Sequence, residues 1–213
     1  QKLKVLVDSP VNESMKRRIN PSSSSGTTSS LSIKPDISSP GTAVTAGVIN
    51  LGVNDKPYSG YADYTGTSMA TPNYSGALAV LLSQGVAKES LIMKTMSTAD
   101  PMVDSRGVYY SPRRQGAGLI NIGDALNTKA YLEGSDTRGL IAEYSNVTKP
   151  STSKIELGYS TTGEFILNFK IHNESAAAET YTPTVSVMIP RTVDTANELD
   201  QYGNEREVEK DGS

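Results

Sequence analysis

The feature that most constrains this chain is the eleven-residue stretch Gly66-Thr67-Ser68-Met69-Ala70-Thr71-Pro72-Asn73-Tyr74-Ser75-Gly76. It predicts a serine at the first turn of a buried helix. Gly66 lets the backbone turn tightly, and Thr67 is a good N-cap type. Ser68 then sits where free backbone N–H groups and the positive end of the helix dipole converge. Acyl transfer needs a serine in such a place, because the hydroxyl attacks while N–H groups stabilise the oxyanion. Pro72 fits a first helical turn, whose N–H groups have no internal acceptor. Ala70, Ser75, Gly76 and Ala77 are small enough for close packing on a sheet. Taken alone, a Thr-Ser pair also caps many helices without further function.

Two more blocks stand in order around it. Ile33-Lys34-Pro35-Asp36-Ile37-Ser38-Ser39-Pro40-Gly41 precedes the serine, and Ser111-Pro112-Arg113-Arg114-Gln115-Gly116-Ala117-Gly118-Leu119-Ile120-Asn121 follows it. Together the three resemble the nucleophile region of the subtilisin-like serine peptidases, the subtilases. The Ser-Pro-Arg-x-Gln-Gly-Ala-Gly wording is most similar to the lactocepin-like cell-envelope proteinases of Gram-positive bacteria. The resemblance implies an α/β fold. Its first part is the C-terminal portion of a subtilisin-like parallel-sheet domain, and an incomplete antiparallel, fibronectin-like β-sandwich follows. It also implies Ser68 as catalytic nucleophile, with Gly66 and Thr67 lining the substrate cleft, and a protein or peptide substrate outside the cell or at its surface. No cofactor is required; calcium is frequent in the family, yet no Asp-x-Asp-type loop marks a site here.

A serine nucleophile needs a base, usually histidine, and a group that orients it. The subtilase order is Asp, His, Ser, so both partners belong before Ser68. The chain has one histidine, His172, far downstream of the serine, and no His-Gly-Thr-His or Asp-Thr-Gly segment. Asn12, Asn20, Asn50 and Asn54 precede Ser68, but none has the context of the family's oxyanion asparagine. The expected partner is therefore a missing N-terminal half of the catalytic domain, and the chain is not expected to be active alone.

Twenty basic and 23 acidic side chains give a net charge of −3. Nothing clusters Lys and Arg as nucleic-acid binders do; Lys16-Arg17-Arg18 reads as a solvated loop. Cysteine is absent, which excludes a disulfide framework and cysteine metal sites. No apolar run approaches the ~20 residues of a membrane span. No signal-peptide pattern opens the chain, as expected of an internal fragment.

Residues 1–30 read as a strand, Lys2 to Asp8, and a Ser-rich linker returning from an upstream domain. Residues 31–128 carry the three blocks, 129–150 a linker, and 151–213 the start of the sandwich. Asp36 is expected to bond nearby backbone rather than transfer protons. Val44 to Val53 reads as loop or strand, and Tyr58 to Thr65 leads into the serine turn. Met69 to Gln84 predicts a mostly buried helix, with Leu78, Ala79, Leu81 and Leu82 inside and Gly85 as its C-cap. Lys88 to Thr98 predicts a second helix with Leu91, Ile92, Thr95 and Met96 inward. Met93 and Met96 fit core filling; Tyr109 and Tyr110 fit either core or surface. The resemblance of the third block implies a short helix after it, carrying Ala125 and Leu126.

Beyond Thr128 the period becomes two. Phe165, Leu167, Phe169 and Ile171 form one strand face, and Tyr181, Val185, Val187 and Ile189 another. His172 falls on the outward register and is expected to be a solvated surface residue. The sequons at Asn12, Asn73, Asn146 and Asn173 are incidental.

Two functions compete: the serine-bearing portion of an extracellular endopeptidase, and a catalytically dead subtilase-derived module for surface binding or scaffolding.

Overall fold

The computed structural model describes residues 17–29, 32–51, 57–104, 106–134, 152–155, 162–187, 195–199 and 205–209. The strand expected over Lys2 to Asp8 lies outside them. The chain forms two compact units, Gln1–Glu179 and Thr180–Ser213.

In the first unit an antiparallel hairpin pairs β1 (Val44–Leu51) with β2 (Pro57–Tyr64), in a register that sets Val44 opposite Tyr64. β2 runs directly into helix α1, Thr67–Ser83. A 3-10 turn at Lys88–Ser90 leads into α2, Leu91–Ser97, so the second helical segment lies where the sequence placed it. The Ser111 block forms α3 (Pro112–Gln115), with Pro112 in the first turn and the Ser111 hydroxyl accepting from Arg113 N at 3.2 Å. Asn121 caps α4 (Ile122–Asn127), its side chain accepting from Asp124 N at 3.0 Å. Strand β3 (Ala130–Gly134) then pairs antiparallel with β4, Phe169–Asn173.

α1 ends in a Schellman motif. Val86 N donates to Leu81 O at 3.1 Å and Gly85 N to Leu82 O at 3.0 Å. Gly85 takes a φ of 87°, a left-handed value that glycine reaches without strain. The motif brings Val86 onto Leu81, and with Leu91 and Ala125 these form the core, flanked by Leu78 and Leu126. Met93, Met96 and Met102 are also buried. Fully burying a side chain such as Leu81 stabilises by roughly 2 kcal/mol.

Several expectations need correction. α1 is not mostly buried: only Ala77 and Leu81 are, while Val80 and Leu82 stand 48% and 47% exposed. Among the described elements, only α2 and α4 make more than slight contact with it. The parallel sheet is represented among the described residues by a single parallel bridge, Ser38 to Leu119; every named sheet is an antiparallel pair. Parallel pairing requires distant segments to run side by side. Here the chain turns at Gly116 and Gly118 (φ 65° and 130°), so contact is confined to one step of the ladder.

The sandwich is absent among the described residues. Among the described residues pairing begins only at Phe169, and Phe165, Leu167, Phe169 and Ile171 are about half exposed. Residues 181–187 form no strand; the second unit instead holds the hairpin of β5 (Thr195–Leu199) and β6 (Glu205–Glu209).

Candidate active site

α1 begins one residue earlier than a Thr67 cap would require. Gly66 is the N-cap, no side chain caps the helix, and Thr67 and Ser68 are its first two residues. The local sequence explains this: Gly66 O accepts from Met69 N (3.0 Å) and Ala70 N (3.2 Å). The N–H groups of Thr67 and Ser68 therefore lie at the open, positive end of the helix. Pro72 falls at the sixth helical position, not in the first turn. Its missing N–H leaves the Ser68 carbonyl without the usual i+4 donor. Side-chain bonds reinforce the start: Thr71 Oγ1 donates to Thr67 O at 3.0 Å and Ser75 Oγ to Thr71 O at 3.1 Å.

The turn rests on the Lys34–Gly41 loop. Gly66 N donates to Gly41 O at 2.8 Å, and Asn73 Nδ2 donates to Pro40 O at 2.7 Å. A Cβ on Gly41 would stand 2.7 Å from Gly66 O and 2.9 Å from Ala70 Cβ, so only glycine permits this approach. The loop is in turn stitched to the third block through Ser38 N to Gly118 O (2.8 Å) and Ile120 N to Ser38 O (2.9 Å). Two of the three sequence blocks thus serve as floor and foundation for the serine of the other.

Ser68 is exposed, and among the described residues nothing hydrogen-bonds its hydroxyl. A cavity of about 410 Å³ opens beside the helix end, lined by Arg18, Asn20, Pro40, Gly66, Thr67 and Thr71 among others. Asn20 turns its amide to Thr42 Oγ1 at 3.1 Å. Asn12 and Asn54 lie outside the described residues. Deeper along α1, Tyr74 shares a hydrogen bond of 2.9 Å with the Thr95 hydroxyl. Burial pushes the Tyr74 phenol above its ordinary value, and the nearby Asp36 charge adds to the effect.

Asp36 does not act mainly on backbone, as the sequence suggested. Its carboxylate pairs with Lys34 and, at 2.9 Å, with Lys154, while its backbone carbonyl accepts from Ala117 N at 3.0 Å. Burial alone would raise this carboxyl, but the hydrogen bonds and charges of the two lysines outweigh it and hold it below the usual carboxylate range.

His172 is not the free surface residue expected from its register. It stacks on Tyr131, its cross-strand partner, with ring centroids 4.6 Å apart, and Nε2 lies 2.7 Å from Glu133 Oε2. Directly opposed side chains on an antiparallel pair are close enough for such contact. It is thereby committed to the β3–β4 pair. Next to it, the buried Lys94 ammonium lies 2.5 Å from Glu174 Oε2 and 5.7 Å from the Tyr131 ring centre.

Sequence reasoning missed three such residues. Lys94 looks like the polar face of a helix, and Lys154 belongs to no motif. Gln115 is buried, accepting from Met102 N at 2.6 Å and donating to Tyr110 O at 2.5 Å. Only its place inside the Ser111 block could have drawn attention to it. Among the described residues there is no group of three or more His, Cys, Asp and Glu side chains that could hold a metal.

Comparison with known proteins agrees with this geometry. The Subtilase family model matches residues 6–118. The chain is 34% identical over 163 residues to the minor extracellular protease Vpr of Bacillus subtilis, covering 74% of this chain and 20% of Vpr. It is 29% identical over 168 residues to the C5a peptidase of Streptococcus pyogenes, covering 72% of this chain and 12% of that protein. Against the PII-type proteinase of Lactococcus lactis subsp. cremoris, identity is 32% over 121 residues, 48% of this chain and 6% of the proteinase. The chain therefore spans a fifth or less of each of these relatives. The three ordered blocks, the serine at the open end of α1 and the match over residues 6–118 agree: this chain belongs to the subtilase family.

Proposed function

We propose that this chain carries the nucleophile of an extracellular or cell-surface serine endopeptidase, and that Ser68 is that nucleophile. The observation that carries the reading is the exposed Ser68 hydroxyl at the second position of α1, next to the helix-end N–H groups of Thr67 and Ser68. A histidine from residues upstream of this chain takes the Oγ proton as Oγ bonds to the peptide carbonyl carbon. The Ser68 N–H and an upstream asparagine hold the oxyanion. The C–N bond then breaks, the amine leaves with the proton, and water releases the acyl group. Gly66 and Thr67 line the cleft for the peptide. Vpr is by name an extracellular protease, which supports secretion, and no helix among the described residues is long and apolar enough to cross a membrane. Residues 31–128 form the C-terminal part of the catalytic domain in this reading. In this reading residues 151–213 begin a fibronectin-like domain, supported by their period-two pattern and by the antiparallel pairing of β4 and of β5 with β6.

A fluorophosphonate serine probe tests the reading. With the only histidine held at Glu133, the 213-residue chain alone should remain unlabelled. The full-length protein that contains it should be labelled at Ser68, and Ser68→Ala should abolish the label. Strong labelling of the chain alone would overturn the missing-base argument. A folded but unlabelled full-length protein would favour the scaffold module instead.

A further inference from the structure

The loop beneath the serine turn is held at its far end by a residue outside the three blocks. Lys154 lies beyond the family-matched residues 6–118, and its side chain is only 19% exposed. Nζ donates to Asp36 Oδ1 and to the Ile33 carbonyl, both at 2.9 Å, and so brackets the Lys34-Pro35 step from either side. The stretch bearing Lys154 is itself fastened. Gly134 N donates to Thr152 O at 2.7 Å, and the Ser153 hydroxyl lies 2.6 Å from Leu132 O and 3.1 Å from Met93 O. Those partners belong to β3 and α2, and the latter packs on the core. Lys34 pairs with Asp36 too, but it is two residues away and moves with the loop. It cannot fix the loop to the rest of the molecule. Lys154 can.

We propose that Lys154 is a positioning residue for Ser68, clamping the Asp36 end of the loop whose Gly41 end carries the Gly66 turn. Asp36 is half-buried, so the pair is less screened than a surface ion pair. Its charged form is favoured in place, as the lowered carboxyl of Asp36 requires. The stretch after the catalytic blocks is then part of the peptidase machinery rather than a passive connection. The kinetic consequence rests on Ser68 being the nucleophile. A misplacement of about 1 Å at a reacting group can cost about a hundredfold in rate.

Amide hydrogen exchange on the 213-residue chain tests the clamp without catalysis. Lys154→Met should speed exchange at Gly66 and Ala117 by about tenfold, while Gly85 and Val86 at the other end of α1 stay protected. Lys154→Arg should recover most of the loss, because it keeps the charge at similar reach. In the full-length protein, Lys154→Met should slow fluorophosphonate labelling and lower kcat by about tenfold with KM nearly unchanged. Unchanged exchange at Gly66 overturns the proposal, and so does a uniform loss of protection across the first unit. If exchange shifts as expected but the wild-type full-length protein is never labelled, the clamp stands and the assignment of Ser68 fails.

Discussion

At the scale of single residues, Asp36 joins the serine-side loop to two lysines through its charge. Its carboxyl lies below the ordinary value because the lysine contacts of Lys34 and Lys154 outweigh the burial that would raise it. A carboxyl depressed on folding contributes stability above its unfolded pKa, about 3.9 for aspartate. That contribution is lost as pH falls through the lower, folded value. Denaturant melts taken from neutral pH downward should therefore show wild type losing stability on the acid side of pH 4. Asp36→Asn should lose less over the same range, because a neutral amide has no proton to gain. Equal slopes for the two proteins would show that the Asp36 pairs do not stabilise the fold. The Tyr74 phenol, which feels the Asp36 charge, should titrate lower in the same variant.

At the scale of elements, the two ends of α1 obey different constraints, and two glycine substitutions separate them. Gly85 has a φ of 87°, and a Cβ there would meet nothing within 4 Å. Gly85→Ala should therefore cost only the left-handed backbone term, about 1 kcal/mol, with Gly85→Asn costing less. Gly41 is the reverse case. Its added Cβ would strike Gly66 O and Ala70 Cβ, so Gly41→Ala must push the serine turn off its floor. Thermal melts should rank both variants below wild type, but only Gly41→Ala should raise amide exchange at Gly66. If Gly85→Ala disturbed Gly66 equally, α1 would be responding as one rigid unit and the floor loop would have no separate role. The same elements show what pattern reading can and cannot reach. The helix end at Gly85 was legible because caps and turn residues act over four or five positions, whereas the short α4 was expected only from the family resemblance of the block before it. The sidedness of α1 was not, because a run of small and apolar residues looks alike on every face.

At the scale of the whole molecule, the described surface leaves large apolar side chains uncovered on several elements. Val80 and Leu82 on α1 are about half exposed, Tyr61 on β2 is 84% exposed, and Ile166 is 79% exposed. Large apolar side chains left in water favour association through burial of their surface. The isolated chain should therefore bind the dye ANS and self-associate with rising concentration. Val80→Lys with Leu82→Lys should reduce both effects. A monodisperse, ANS-silent chain would show that these side chains find cover within the chain itself. The hairpin of β5 and β6 forms a unit of two strands only among the described residues, and such a pair is at best marginally stable in water.

The sequence carried the three blocks whose resemblance pointed to the family, and its local chemistry placed a serine in the first turn of a helix that ends at Gly85. Each of these depends on residues within a few positions of one another, where φ preference, capping and side-chain size act directly. Tertiary structure alone decided what holds that serine in place. Lys154 finds Asp36 across 118 positions and Lys94 finds Glu174 across 80. No local rule distinguishes either lysine from the other cations of the chain. His172 shows the same division: its strand register could be read from alternation, but only pairing with β3 set its ring on Tyr131 and its nitrogen on Glu133. A charge or ring chooses its partner only once folding has removed water and brought distant segments together, and that choice is not written in any short stretch of residues.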